Sequence, residues 1–175
     1  MTTPPTIRLR ALEPEDLDLL YRIENDETLW ELGTTNVPYS RYILHDYISQ
    51  STGDIYTDKQ VRLMVENEQG EVVGIVDLTN FDPKNLRAEA GIVVMPSHRQ
   101  KGYATAAMHQ LHRYAQAILH LHQLYAIIPS DNKPSHKLFL AMGYQEKSTL
   151  AEWLYDGTCY HDALILQYIF HSLAD

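Results

Sequence analysis

The sequence predicts a mixed α/β fold, a strongly twisted and mostly antiparallel sheet of six or seven strands with about four helices on its faces. Three observations carry that prediction. Segments of alternating apolar and polar residues, separated by turn-forming clusters, occur both early and late in the chain. From Gly102 the apolar spacing changes to three and four residues. A short apolar run, Leu124 to Ile128, follows that stretch, so the middle of the chain reads as a strand, helix, strand crossover joining parallel strands. With 175 residues, 45% hydrophobic and 21% charged, the chain has the composition of a folded protein and the length of one domain spanning 1–175.

Taken in order, Ile7 to Arg10 alternates as a strand, and Pro14, Glu15 and Asp16 open a helix running to about Asn25, with proline and acids where a first turn favours them. Ser40 is an N-cap for a second helix that ends near Gly53. Lys59 to Glu66 and Val72 to Val76 alternate around Glu68-Gln69-Gly70-Glu71, which predicts an antiparallel hairpin. Asp82-Pro83-Lys84-Asn85 turns into a further strand, Ala88 to Val94. Ala104, Ala107, Met108, Leu111, Ala115 and Ile118 then mark the buried face of a helix of about four turns. Pro129 stops the next strand, Asn132 to Met142 forms a helix closed by Gly143, and two strands around Asp156-Gly157 finish the chain.

Charge narrows the function. Fourteen Lys+Arg against twenty-three Asp+Glu give a net charge of -9, which repels a polyphosphate backbone and argues against general nucleic-acid binding. The balance is uneven along the chain. From Leu12 to Glu31 acids outnumber bases eight to one, whereas from His98 to Lys137 bases outnumber acids five to one. A cation-attracting part is thus followed by an anion-holding part. The only cysteine is Cys159, so no internal disulfide forms; neither it nor the histidine pairs His109/His112 and His120/His122 have a pattern that predicts a metal site or a thiol nucleophile. No signal-like or membrane-spanning run is present, and a soluble cytoplasmic protein is expected.

The anion-holding part centres on Arg99-Gln100-Lys101-Gly102-Tyr103-Ala104, between a strand and the long helix. Such a junction leaves backbone N–H groups aimed outward, Gly102 permits close approach, and Arg99 and Lys101 add formal charge. It is neither a Walker loop nor a dinucleotide glycine motif. The arrangement resembles the GNAT N-acetyltransferase superfamily, whose acetyl-CoA pyrophosphate loop reads Q/R-x-x-G-x-G/A after a bulged strand. A second element of that superfamily is matched by Asn132, Ser135, Leu138, Phe139, Gly143 and Tyr144. The resemblance covers Ile7 to Phe170. It is greatest to bacterial spermidine/diamine N-acetyltransferases, on Ile7 to Glu13, Arg87-Ala88-Glu89 and the Asp156-Gly157 hairpin.

The resemblance implies a GNAT-like fold, acetyl-CoA as cosubstrate and transfer of acetyl to a primary amine by direct attack through a tetrahedral intermediate. It implies that Val93 and Val94 border a V-shaped gap for pantetheine, that the loop Arg99, Gln100, Lys101, Gly102, Tyr103 and Ala104 holds the pyrophosphate, and that Asn132, Ser135, Lys137 and Phe139 complete the cofactor site, with Lys133 near the outer phosphates. The resemblance also implies a backbone N–H near Val94 as the donor to the oxyanion. An amine of pKa near 10.4 is neutral in roughly one molecule in two to three thousand at pH 7, so a base is needed; Asp77 and Glu89 are the candidates, and either is equally readable as an ion-pair partner of Arg87. Many relatives carry Tyr where this chain has Phe139, leaving Tyr144, Tyr103 or water to protonate the thiolate. A polyamine such as spermidine is the leading acceptor, although the segment Glu31 to Asn36 keeps one acid where the spermidine enzymes have a pair. A ribosomal-protein N-terminus, another small amine, or a non-catalytic acyl-CoA-sensing role remains open. A homo-oligomer, by default a dimer, is expected, with the apolar final strand as the edge that pairs.

Overall fold

The computed structural model describes residues 4–27 and 37–171. Strands β1 (Ile7–Ala11), β2 (Val61–Asn67), β3 (Val72–Asp82), β4 (Arg87–Val94), β5 (Gln123–Pro129), β6 (Gln145–Tyr155) and β7 (Tyr160–Ile169) form one sheet in the order β1-β2-β3-β4-β5-β7-β6. The pairing is antiparallel except between β4 and β5, as the crossover through the long helix requires. Five helices accompany it among the described residues: α1 (Leu17–Glu24), α2 (Arg41–Gln50), α3 (Ile55–Asp58), α4 (Tyr103–Ala117) and α5 (Lys133–Ala141).

Alternation along the strands divides the core between two faces. On one, Val76, Leu78, Ala88, Ala90, Leu124 and Leu166 pack against Ala107, Met108 and Leu111 of α4 and Phe139 of α5. On the other, Met64 and Ile75 pack against Leu20 and Ile23 of α1 and Leu44 of α2. The entry of α1 is fixed by Arg10 on β1, whose guanidinium meets both carboxylate oxygens of buried Asp16, at 2.7 and 2.9 Å, and Glu66 of β2 at 2.7 Å. Asp16 also accepts the Glu13 N–H in a capping box.

The structure corrects three expectations. A short helix, α3, precedes β2, capped by Asp54 on the Tyr56 N–H and ended by Lys59 in the left-handed region, so the strand starts at Val61 and not at Lys59. Ile118 lies past the end of α4 and is exposed, while Ala106 and His112 join the buried face. The final strand is no edge. β7 lies between β5 and β6, burying Ala163, Leu164 and Leu166, and the outer position goes to the long, exposed β6.

Candidate active site

Between β4 and β5 the sheet opens. The two strands pair only where Arg87 to Glu89 meets Gln123 to Tyr125, and beyond that they part. Met95 donates its N–H to Val73 O of β3, so by strand alternation the N–H groups of Val94 and Ile92 point the other way, into the gap. The gap continues into a cleft of ≈ 510 Å³. Ile92, Val93, Ile127, Ile128, Asn132, Ser135 and Phe139 line it where the strands part; Glu24, Tyr39, Tyr47, Arg62, Asp77, Thr79 and Glu89 line it toward α1 and α2. That volume suits a small-molecule site.

The basic loop lies just past the end of β4. A 3-10 turn, Pro96–His98, leads into Arg99 to Lys101, and Gly102 caps α4 at φ 85. Gln100 is also left-handed, at φ 59. No side chain caps α4, so the first-turn N–H groups of Tyr103, Ala104 and Thr105 are available to an anion. Arg99 Nε donates to Val94 O at 3.1 Å and Lys101 Nζ to Ser97 O at 2.8 Å, which folds both exposed side chains back over the loop. On α5, Asn132 Oδ1 accepts the Ser135 N–H at 3.2 Å and caps the helix, and both residues line the cleft; Lys133 donates to Ser130 O, and Lys137 is exposed.

Neither candidate base pairs with Arg87, which binds Asp82 at 3.1 Å. Asp77 is held by Arg62 on the neighbouring strand, Nε to Oδ1 at 2.7 Å, and the same guanidinium reaches Glu24 of α1 at 2.5 Å. Arg62 is the residue that sequence reasoning missed. Burial works against its charge, but Asp77 and Glu24 outweigh burial and raise its pKa. Tyr47 beside it is pushed up by burial, against the pull of Arg62. Glu89 differs: its Oε2 accepts from Asn80 Nδ2 at 2.8 Å, and among the described residues no ion pair forms on it.

Phe139 is buried and lines the cleft, edge-on to Tyr144 at 4.8 Å. Tyr144 itself is not brought to the cleft. Its hydroxyl turns into the core, 3.1 Å from His112 Nε2, and burial drives its pKa well above the usual tyrosine value. Tyr103 stacks edge-on against His98 and also lies outside the lining. The phenols that do reach the cleft, Tyr39 and Tyr47, come from the α2 side, a placement that depends on tertiary packing and leaves no local sequence signal. The segment Glu31 to Asn36 lies outside the described residues.

The chain is 26% identical over 165 residues to a spermidine N(1)-acetyltransferase of Escherichia coli K12, an overlap of 94% of this chain and 86% of the relative. Among solved structures, the spermidine N-acetyltransferase of Vibrio cholerae in complex with CoA and spermine superposes with a TM-score of 0.84 at 26% identity, covering 93% of this chain and 95% of the other. A dodecameric structure of the Vibrio cholerae enzyme superposes with a TM-score of 0.80 at 25% identity, covering 93% of each chain. Residues 6–145 match the acetyltransferase (GNAT) domain. That match takes in every element from β1 to α5, and with them the whole scaffold of the cleft: the chain belongs to the GNAT acetyltransferase family.

Proposed function

We propose that this protein transfers the acetyl group of acetyl-CoA to a primary amine of a polyamine such as spermidine. The observation that carries the acceptor class is the charge of the cleft. Among the described residues its charged lining is Glu24, Asp77 and Glu89 against the one cation Arg62. Arg62 is shared by two of the carboxylates, and among the described residues Glu89 accepts from the Asn80 amide and forms no ion pair. An elongated polycation is matched to such a surface, and the relatives named as spermidine acetyltransferases support the same acceptor.

Acetyl-CoA, when bound, supplies the activated acetyl group. The residues present fit it: Ile92 and Val94 turn backbone N–H groups into the gap, where the pantetheine arm would lie against Val93, Asn132, Ser135 and Phe139. The Arg99 to Ala104 loop would hold the pyrophosphate, with Lys137 near it. Val94 N–H is the proposed donor to the developing oxyanion, because an amide fixed by strand pairing needs no reorganisation. Keeping an amine neutral at pH 7 costs about 4–5 kcal/mol, and Glu89 is the proposed base that takes its proton, directly or through water. Asp77, already ion-paired, positions a second ammonium group. With Phe139 unable to donate and Tyr144 turned into the core, water protonates the departing thiolate, whose ordinary pKa near 8.5 makes this step accessible.

A cytoplasmic setting is part of this reading; among the described residues no helix is long and apolar enough to cross a membrane. So is a homo-oligomer, by analogy with the dodecameric relative. The test is release of CoA thiol from acetyl-CoA across spermidine, spermine, putrescine, amino acids, aminoglycosides and N-terminal peptides, with calorimetric binding of acetyl-CoA alongside. Spermidine-dependent release at the top of the panel is expected. A peptide at the top would make the chain a protein N-terminal acetyltransferase, and tight binding without release for any amine would make it a sensor.

A further inference from the structure

The β6–β7 hairpin carries a cluster that lies outside the acetyl-transfer cleft. Its loop, 156–159, closes with the Asp156 N–H on Cys159 O at 3.2 Å, and Gly157 takes φ +98 with open space around it. Asp156 Oδ1 accepts the N–H groups of Thr158 and Cys159 at 2.7 and 2.8 Å, which locks the carboxylate and leaves Oδ2 facing the start of β7. Cys159 closes the loop and His161 is the second residue of β7, and their side chains meet. The result is that three different donor atoms converge: His161 Nε2 is 2.5 Å from Asp156 Oδ2 and 3.2 Å from Cys159 Sγ, and Sγ is 3.5 Å from Oδ2.

We infer that this hairpin tip is a binding site for a thiophilic divalent cation, zinc foremost, held by Asp156 Oδ2, Cys159 Sγ and His161 Nε2. Tetrahedral zinc with bonds of about 2.0–2.3 Å sets its ligand atoms roughly 3.3–3.6 Å apart. The triangle already present needs to open by less than about 1 Å to match. One thiolate, one imidazole and one carboxylate suit a borderline-soft ion, whereas calcium and magnesium seek oxygen donors in larger number. The two backbone N–H groups on Asp156 Oδ1 are the outer contacts that fix a ligand's orientation. On binding, the Cys159 thiol proton leaves to solvent, the Nε2 proton that His161 donates to Asp156 is released to solvent or, in the neutral ring, exchanged through solvent for one on Nδ1, and that hydrogen bond gives way to two bonds to the ion. A groove of ≈ 300 Å³, lined by Asp156 and His161 with Asp131 and Asn132, borders the cluster. This departs from the sequence expectation of no metal site. The sequence signal for it is D-x-x-C-x-H across a turn.

Cys159 is the only cysteine, so a thiolate-to-cobalt charge-transfer band can arise nowhere else in this chain. The 175-residue protein, stripped with chelator, is titrated with Co2+ and then back-titrated with Zn2+. One cobalt per chain with that band, displaced by zinc, is expected. Cys159→Ser should abolish the band, and His161→Asn and Asp156→Asn should each weaken binding at least tenfold while circular dichroism is unchanged, since even outer partners of a ligand cost about 10- to 100-fold. Zinc should also shield the thiol from alkylation. Cobalt binding without the band, or a band whose affinity survives both His161→Asn and Asp156→Asn, would overturn the assignment. Neither readout depends on acetyl transfer, so it stands or falls separately from the proposed activity.

Discussion

Glu89 and Asp77 lie on adjacent strands of the same cleft, and the structure gives them different surroundings that a pair of neutral substitutions can separate. Glu89→Gln keeps an oxygen for Asn80 Nδ2 and disturbs no ion pair, so stability should hold to within about 0.5 kcal/mol. Loss of a general base costs about 10²–10³ in kcat, or roughly 3–4 kcal/mol of transition-state stabilisation. Asp77→Asn removes one of the two carboxylates on Arg62, whose side chain is only 24% exposed, with Asp77 at 20%. A fully buried pair costs about 3–5 kcal/mol to break and an exposed one less than about 1, so about 2 kcal/mol is expected here, or a Tm lower by about 4–8 °C. The assay is steady-state thiol release with spermidine from pH 6 to 10, beside a melting curve for each variant. The Glu89→Gln deficit should shrink as pH approaches the amine pKa, because free amine then no longer needs a base. A silent Glu89→Gln beside an Asp77→Asn that loses kcat without losing stability would reverse the two roles.

Gly102→Val forces a β-branched residue into φ +85 and sets its Cβ 3.0 Å from Pro5 Cδ; KM for acetyl-CoA should rise at least tenfold with the fold retained, and an unchanged KM would sink the pyrophosphate-loop assignment. Phe139→Tyr restores a phenol at a position lining the cleft, and kcat should rise several-fold; no change means that water already meets the demand. His112 is buried and its pKa falls to about 4, chiefly through desolvation and then the charge of His109. The unfolded chain therefore takes up this proton first as pH falls from about 6.5, so stability is complete above that value and declines toward pH 4, by up to about 3 kcal/mol. His112→Gln should flatten that part of a denaturant-midpoint against pH plot, and an unaltered slope would refute the neutral buried imidazole.

The parts of the fold legible in the sequence are those that local periodicity writes. Ala107, Met108, Leu111 and Ala115 mark the buried stripe of α4, and Gly102 marks its start because the N-cap position takes a left-handed φ of 85 that glycine adopts without strain. What escaped was set by long-range pairing. Tyr160 to Phe170 reads as an apolar strand whether it ends the sheet or lies within it; its placement beside β5 follows from burying Leu164 and Leu166 on both neighbours, a contact between segments some forty residues apart. α3 is a single turn, below the length at which apolar spacing can announce a helix.

The site divides the same way. The loop, Arg99 to Ala104, and the Asn132 cap are each written in a local run of residues, but the surroundings that distinguish Asp77 from Glu89 are not local. Arg62 faces Asp77 because β2 and β3 pair in one particular register, with a bulge between Val65 and Glu66. Had that bulge lain on the other side of Arg62, alternation would have turned the guanidinium to the opposite face, leaving Asp77 and Glu89 as two unneutralised carboxylates across the Thr79–Glu89 and Asp77–Gly91 pairs. The position of one extra residue in β3, Val73, therefore decides whether Asp77 meets a cation.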